Sequence, residues 1–358
     1  MKYLLGFLCT LVLTACGGGG GGGSSTTSAG TAAGLQLVVT QQNVNTIYNT
    51  AVGDLNGDGR EDVVVSGWKF DSATAYIWVF IQNSDGTLSD RTQSILGTIT
   101  HSGSQHVFIA DFDNDGHNDI WLPGFRDGSA IVPAHSTMFW GSNGSFTQTV
   151  FSELVQAHGA CVDDVNNDGR LDMITSGGGI YLNQGSRSFT LDTTILGGNN
   201  YFSACAVAHQ ANNDVDIVLG NNNAVAGFHD NLNVYNSAMV LQTQIGMARN
   251  TAGAGDMIDA IAVDLNSDGV KDLVTMYNSN SARDVWINTG SNTYSYSTTL
   301  DTLGNDYYSY TVTVNNLPMI LFPGNSAGTR LYQINNGLTV YRPSAFTSMS
   351  SGHTAQAS

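Results

Sequence analysis

Four stretches of the chain repeat one pattern of oxygen-bearing side chains, Asp-x-(Asn/Asp)-x-Asp-Gly-x-x-Asp, beginning at Asp54, Asp111, Asp164 and Asp264. The side chains that could ligate an ion are Asp54, Asn56, Asp58 and Asp62; Asp111, Asp113, Asp115 and Asp119; Asp164, Asn166, Asp168 and Asp172; and Asp264, Asn266, Asp268 and Asp272. Thirteen of these sixteen are aspartates, and carboxylates crowded into one short loop repel one another unless a cation lies between them. Hard oxygens at loop positions 1, 3, 5 and 9, with the backbone carbonyls of Arg60, His117, Arg170 and Val270 at position 7, suit calcium. Calcium takes roughly six to eight oxygens at about 2.3–2.6 Å, and magnesium fits such a loop less well. Gly59, Gly116, Gly169 and Gly269 at position 6 permit the sharp turn. One ion per loop, about four in all, would bring the formal charge of −17 to −9.

Two other readings of these loops are weaker. An EF-hand needs a bidentate Glu at its twelfth position, where this chain has Val65, Leu122, Thr175 and Thr275 inside apolar, strand-like runs. Asx-rich turns closed by local hydrogen bonds explain one such loop, but not four in register.

The elements that must position the loops are repeats. Segments 51–65, 108–122, 161–175 and 261–275 align without gaps, and the 100-residue interval between the third and fourth loop starts holds one more copy. That copy, 205–220, keeps the apolar runs around Ala208-His209-Gln210 but lacks the acidic ladder, and a sixth, 310–324, is more decayed at Val314-Asn315-Asn316. The motifs Ile180–Gly185, Val285–Gly290 and Leu331–Gly337 recur in the second halves. Each unit therefore reads strand, loop, strand, turn, strand, Asn/Gly turn, strand. Such units must stack to bury both faces of their sheets. The expected fold is all-β, a β-propeller of six four-stranded blades over 35–351, with seven as the alternative. Leu35–Thr40 would close the ring against Leu338–Tyr341.

Loops and blades together resemble the FG-GAP/VCBS repeats of integrin α-subunit propellers and many secreted bacterial proteins. The resemblance covers most of 35–351 and is specific in four repeats. It implies calcium sites in the loops between first and second strands, and a role in adhesion or ligand binding. FG-GAP domains also decorate hydrolases and lyases, so the resemblance keeps an enzyme or a structural envelope component as alternatives.

If the loops mark one face of a propeller, residues entering the first strands lie on the other. Tyr48, His106, His158, Tyr201, Phe202, Tyr307 and Tyr308 fall there and are the candidate glycan- or protein-binding residues; packing between blades is the competing role for the tyrosines. Trp68, Trp78, Trp121, Trp140 and Trp286 sit in strand-like runs and are expected to pack between blades. No His-Glu-x-x-His or phosphate-cradling loop occurs, and no catalytic residue is assigned. Asp163, beside Asp164, is expected to support the third loop from outside it.

The chain opens with Met1-Lys2 and a short apolar run ending in Leu13-Thr14-Ala15-Cys16. This resembles a bacterial lipoprotein signal over 1–15, with Cys16 the acylated residue. Residues 16–34 form a Gly/Ser-rich tether, and 352–358 a tail. The expected location is the bacterial cell envelope, anchored in a membrane by lipid, most consistent with the outer membrane. The acidic balance argues against nucleic acid as a partner, and a monomer is expected. Of the remaining cysteines, Cys161 and Cys205 each lie three residues before a loop start in a gapless alignment. Equivalent sites on neighbouring blades leave both a disulfide and two buried thiols open.

Overall fold

The computed structural model describes residues 46–341 apart from 69–74, 98–103, 126–133, 156, 178, 194–201, 211, 213, 222–230, 247–256, 278–282, 291, 301–309, 315–316, 323–329 and 335–337. The signal segment, Cys16, the tether, the tail and the Leu35–Thr40 closing strand lie outside these residues, as do Tyr201, Tyr307 and Tyr308.

Alternation of apolar and polar residues, rich in Val, Ile and Thr, builds strands with two usable faces. The first sheet is Thr46–Gly53, Asp62–Trp68, Ala75–Gln82 and Leu88–Asp90 (β1 to β4), followed by a short helix, Thr92–Leu96 (α1). The second is Phe108–Ala110, Asp119–Leu122, Ala134–Ser142 and Ser145–Val155 (β5 to β8). The third is Ala160–Asp163, Asp172–Thr175, Gly179–Gly185 and Ser188–Asp192 (β9 to β12). The fourth is Phe202–His209, Val215–Asn221, Asn231–Tyr235 and Leu241–Gly246 (β13 to β16). The fifth is Met257–Val263, Asp272–Tyr277, Arg283–Gly290 and Thr293–Leu300 (β17 to β20). The sixth is Tyr310–Val314, Leu317–Phe322, Arg330–Ile334 and Leu338–Tyr341 (β21 to β24). The described residues thus form six four-stranded antiparallel meanders.

Successive sheets pack face to face. Ala51, Val64 and Val79 of the first meet Ile120, Leu122 and Phe139 of the second. The other face of the second, with Trp121, Met138 and Trp140, meets Met173 and Tyr181 of the third. Ile174 and Ile180 on the third sheet's far face meet Val207, Ile217 and Leu219 of the fourth. Ala206, Val218 and Leu232 then meet Ala260, Leu273 and Trp286 of the fifth. Neighbouring residues on a strand point to opposite faces, so the second, third and fourth sheets each serve two interfaces. The packing role expected of Trp121, Trp140 and Trp286 is the one they have.

Register corrects one alignment. In the first, second, third and fifth sheets the residue before the loop pairs with the loop's ninth residue: Gly53 with Asp62, Ala110 with Asp119, Asp163 with Asp172 and Val263 with Asp272. In the fourth, Ala208 pairs with Asp216, so this loop starts at His209, not Ala208, and is one residue shorter. Cys205 is therefore offset by one from Cys161, and the two are not equivalent. The offset matters because adjacent residues face opposite ways: Cys161 looks toward the fourth sheet and Cys205 back toward the third. They form a disulfide, with Cα atoms 5.6 Å apart. In the sixth sheet Val314 pairs with Leu317, leaving only two residues between the strands. A nine-residue loop has no room there.

Candidate metal centres

Each full loop folds around its first aspartate. In the first loop, Asp54 Oδ1 accepts from Asp58 N at 3.1 Å and Oδ2 from Gly59 N at 2.7 Å. Asp111, Asp164 and Asp264 accept in the same way from the amides of positions 5 and 6. The third residue of each loop (Asn56, Asp113, Asn166, Asn266) accepts from the position 5 amide. The fifth (Asp58, Asp115, Asp168, Asp268) accepts from position 7. Two left-handed residues make this wrapping possible. Position 6 is glycine with φ between 80° and 87° in all four loops. No heavy atom lies within 4 Å of a Cβ built there, so the backbone angle and not space demands glycine. Position 4 is also left-handed, held by Gly57, Asn114, Asn167 and Ser267. The sequence reading passed over this position, although Gly and Asn there were a visible signal.

Position 9 does something the motif does not announce. Asp62, Asp119, Asp172 and Asp272 are fully buried. One oxygen of each accepts the amide of position 2, from Leu55, Phe112, Val165 and Leu265, at 2.8 to 3.1 Å. The other accepts an amide of the third strand, from Gln82, Gly141, Asn183 and Asn288, at 2.7 to 2.8 Å. Each carboxylate therefore rivets loop to sheet. Burial pushes Asp119 up to about 7 and Asp62 and Asp172 to about 6, against the backbone donors that favour the charged form; neighbouring loop carboxylates push further upward.

At the loop rims, Asp111, Asp113 and Asp115 each present one oxygen within 4.8 Å of the others. Two oxygens across a single calcium ion are separated by at most about 5 Å, so this set fits one ion. The other three loops place two rim aspartates and an asparagine in the same fold. Their rims differ in cations. Arg60 bonds Asp58 and donates through Nε to the Gln82 carbonyl, and Arg170 bonds Asp168 at 2.5 Å and the Asn183 carbonyl at 2.8 Å. The second loop has His117 at that position, and its cation comes from the third sheet: Arg187 Nε lies 2.5 Å from Asp113 Oδ2, and Nη2 3.5 Å from Asp115 Oδ2. In the fifth loop Val270 takes the place, and Asn266 donates to Asp268 at 2.8 Å.

Loops are also tied to one another. Asn118 donates to the Asp54 carbonyl at 2.9 Å and Asn183 to the Phe112 carbonyl at 2.7 Å. Asp163 sits 2.9 Å from His209 Nε2 and 3.9 Å from Lys271 Nζ, which joins the third, fourth and fifth sheets beside the third loop.

On the opposite side, the candidate ligand residues divide. His106 is buried and donates through Nε2 to the His158 carbonyl at 2.9 Å, stacking on Phe108 with ring centroids 6.1 Å apart. Burial pulls it down to about 4, so it is neutral at pH 7. It braces His158 and does not face solvent. His158 is half-buried, edge-on to Phe125 at 4.5 Å. Tyr48 and Phe202 lie on β1 and β13, but their side chains are outside the described residues.

Four-stranded meanders, the first five stacked face to face, with loops bridging their first and second strands, define a β-propeller-like domain. Residues 54–122, from the first loop to the end of β6, match the FG-GAP-like repeat family. Among solved structures, BBS1N in complex with ARL6DN is similar in fold: 14% identity, TM-score 0.50, over 83% of this chain and 81% of that one. An exo-β-1,3-galactanase from Phanerochaete chrysosporium with bound β-1,3-galactotriose gives 10% identity and a TM-score of 0.41, over 82% and 76%. No curated protein matches the chain.

Proposed function

We propose that the chain is a calcium-binding propeller, tethered to a bacterial envelope membrane through acylated Cys16, that recognises a glycan or protein ligand. What carries the metal part is the repetition of one rim: in four loops the side chains of positions 1, 3 and 5 bond the loop's own amides, and in the second three carboxylates come within 4.8 Å. Calcium held there would supply charge neutralisation and a rigid rim; the aspartates of position 9 anchor that rim to the sheet. The ligand would be met on the face carrying His158, and Tyr48, Tyr201, Phe202, Tyr307 and Tyr308 remain the candidates that the sequence offers for it. Among the described residues no helix is long and apolar enough to cross a membrane, and the anchor proposed is lipid.

Thermal melting of the chain lacking residues 1–16, with calcium and with excess chelator, tests the metal. An ion that binds only the folded form raises the melting temperature by mass action. An unmoved temperature would end the calcium reading. A glycan array probed with and without chelator tests recognition. Cys16→Ser should move the full chain from the detergent phase to the aqueous one.

A further inference from the structure

We propose that Arg187 sets the calcium affinity of the second loop by competing, from the neighbouring sheet, for the oxygens an ion would take. The inference rests on the calcium reading of the loops. Within the second loop, Asp111 uses both oxygens on the amides of Asp115 and Gly116. Asp113 and Asp115 each spend Oδ1 on an amide, and their Oδ2 atoms are the ones that Arg187 holds. The guanidinium thus occupies the side of the cluster left open by the loop's own bonds, and it stands there as a cation.

The arrangement is particular to this loop. Arg60 and Arg170 belong to their own loops, touch one carboxylate each and fix Nε on a strand carbonyl. Arg187 reaches across from the turn between β11 and β12, where Ser186 and Arg187 both have positive φ, and its Nε goes to the carboxylate itself. The second loop is also the only one of the four with Asp at position 3, so it carries an extra charge, and that Asp113 is the carboxylate Arg187 meets at 2.5 Å. Trp140 gives the displaced group somewhere to stay: the guanidinium carbon lies 5.1 Å from the ring centroid, a contact that survives loss of the carboxylates. Calcium entry at the second loop would therefore trade an ionic link between the second and third sheets for a metal bond, and the loop should fill at higher calcium than its charge alone implies.

Calorimetric titration with calcium chloride alone tests this on the chain lacking residues 1–16. Arg187→Ala should tighten one class of sites by about tenfold, the order expected from removing a charge-assisted contact, and leave the other sites unchanged. Arg91→Ala, removing an exposed arginine away from the loops, should leave all sites as they were. In an Asp113→Asn background the Arg187→Ala gain should shrink to less than threefold. Arg187 is 41% exposed, and a melting curve confirms that each variant folds. If Arg187→Ala and wild type give superimposable isotherms, or if Arg91→Ala tightens sites equally, the competition does not exist. If no variant binds calcium, the reading of the loops themselves is wrong, a distinct result.

Discussion

The third and fourth sheets solve the same problem differently. In the third, nine residues run from Asp164 to Asp172, and the buried Asp172 accepts amides from Val165 and Asn183 of its own sheet. In the fourth, one residue is missing and His209 opens the loop. Asp216 still stands where Asp172 does, fully buried, but its partners are side chains: Gln210, Tyr294 at 2.7 Å and Asn292 at 2.5 Å. The last two belong to the fifth sheet. The closing aspartate is therefore part of the fold in both loops, whereas the rim ladder at positions 1, 3 and 5 is a separable addition. Where the ladder is gone, the neighbouring sheet and the Cys161–Cys205 disulfide take over the joining.

The largest effect should come from Asp172→Ala. It strands two buried amide donors, each worth about 1–3 kcal/mol unsatisfied, so unfolding should become easier by roughly 3–5 kcal/mol in calcium and in chelator alike. Asp168→Ala, at the rim, should matter only in calcium. If Asp172→Ala is harmless in chelator, the carboxylate serves metal alone and the comparison collapses. Next, Cys161→Ala with Cys205→Ala opens a link spanning 44 residues and should cost about 2–4 kcal/mol in chemical denaturation. A reductant should mimic the double variant in wild type and do nothing to it.

A third measurement uses pH on the face away from the loops. His106 is held at about 4 when folded against about 6.5 unfolded. Between those values the unfolded chain binds the extra proton, so stability is complete above about 6.5 and falls as pH drops toward 4. By pH 5 the loss is about 2 kcal/mol. Asp62, Asp119 and Asp172, raised by burial, titrate in the opposite sense. The His106 share is therefore the difference between wild type and His106→Gln, which keeps a donor for the His158 carbonyl. Equal slopes in the two proteins would show that His106 is not desolvated.

Much of this was legible because it is local. The spacing of Asp54 to Asp62 and its copies fixed the rim, and apolar runs on either side fixed the strand pair. What the sequence hid is set by register or by distance. Apolar residues on both sides of the loop, Cys205–Val207 and Ile217–Leu219, conceal a one-residue deletion, yet such a slip turns side chains to the other face, and it is what brings the cysteines together. Arg187 lies more than 70 residues from the aspartates it meets. No spacing rule links Asp216 to Tyr294. The double use of each position 9 aspartate by two backbone amides was hidden because amides leave no mark in a sequence.

The smallest effect separates the full loops from one another. Position 4 is left-handed in all four, but it is Gly57 in the first, Asn in the second and third, and Ser267, at φ 62°, in the fifth. A side chain in that region costs about 1–2 kcal/mol, less for Asn, whose amide bonds locally. Glycine removes that cost but gives back about 0.5–1 kcal/mol through its freer unfolded chain. Ser267→Gly should thus stabilise by up to about 1 kcal/mol, while Asn167→Gly changes little. Both are exposed, so packing does not confuse the result. The comparison is made in chelator, where the rim has no ion to hold its shape and backbone preference acts alone. If Ser267→Gly destabilises instead, the serine must contribute a contact that outweighs its strain, and the four loops would differ by more than their rim cations.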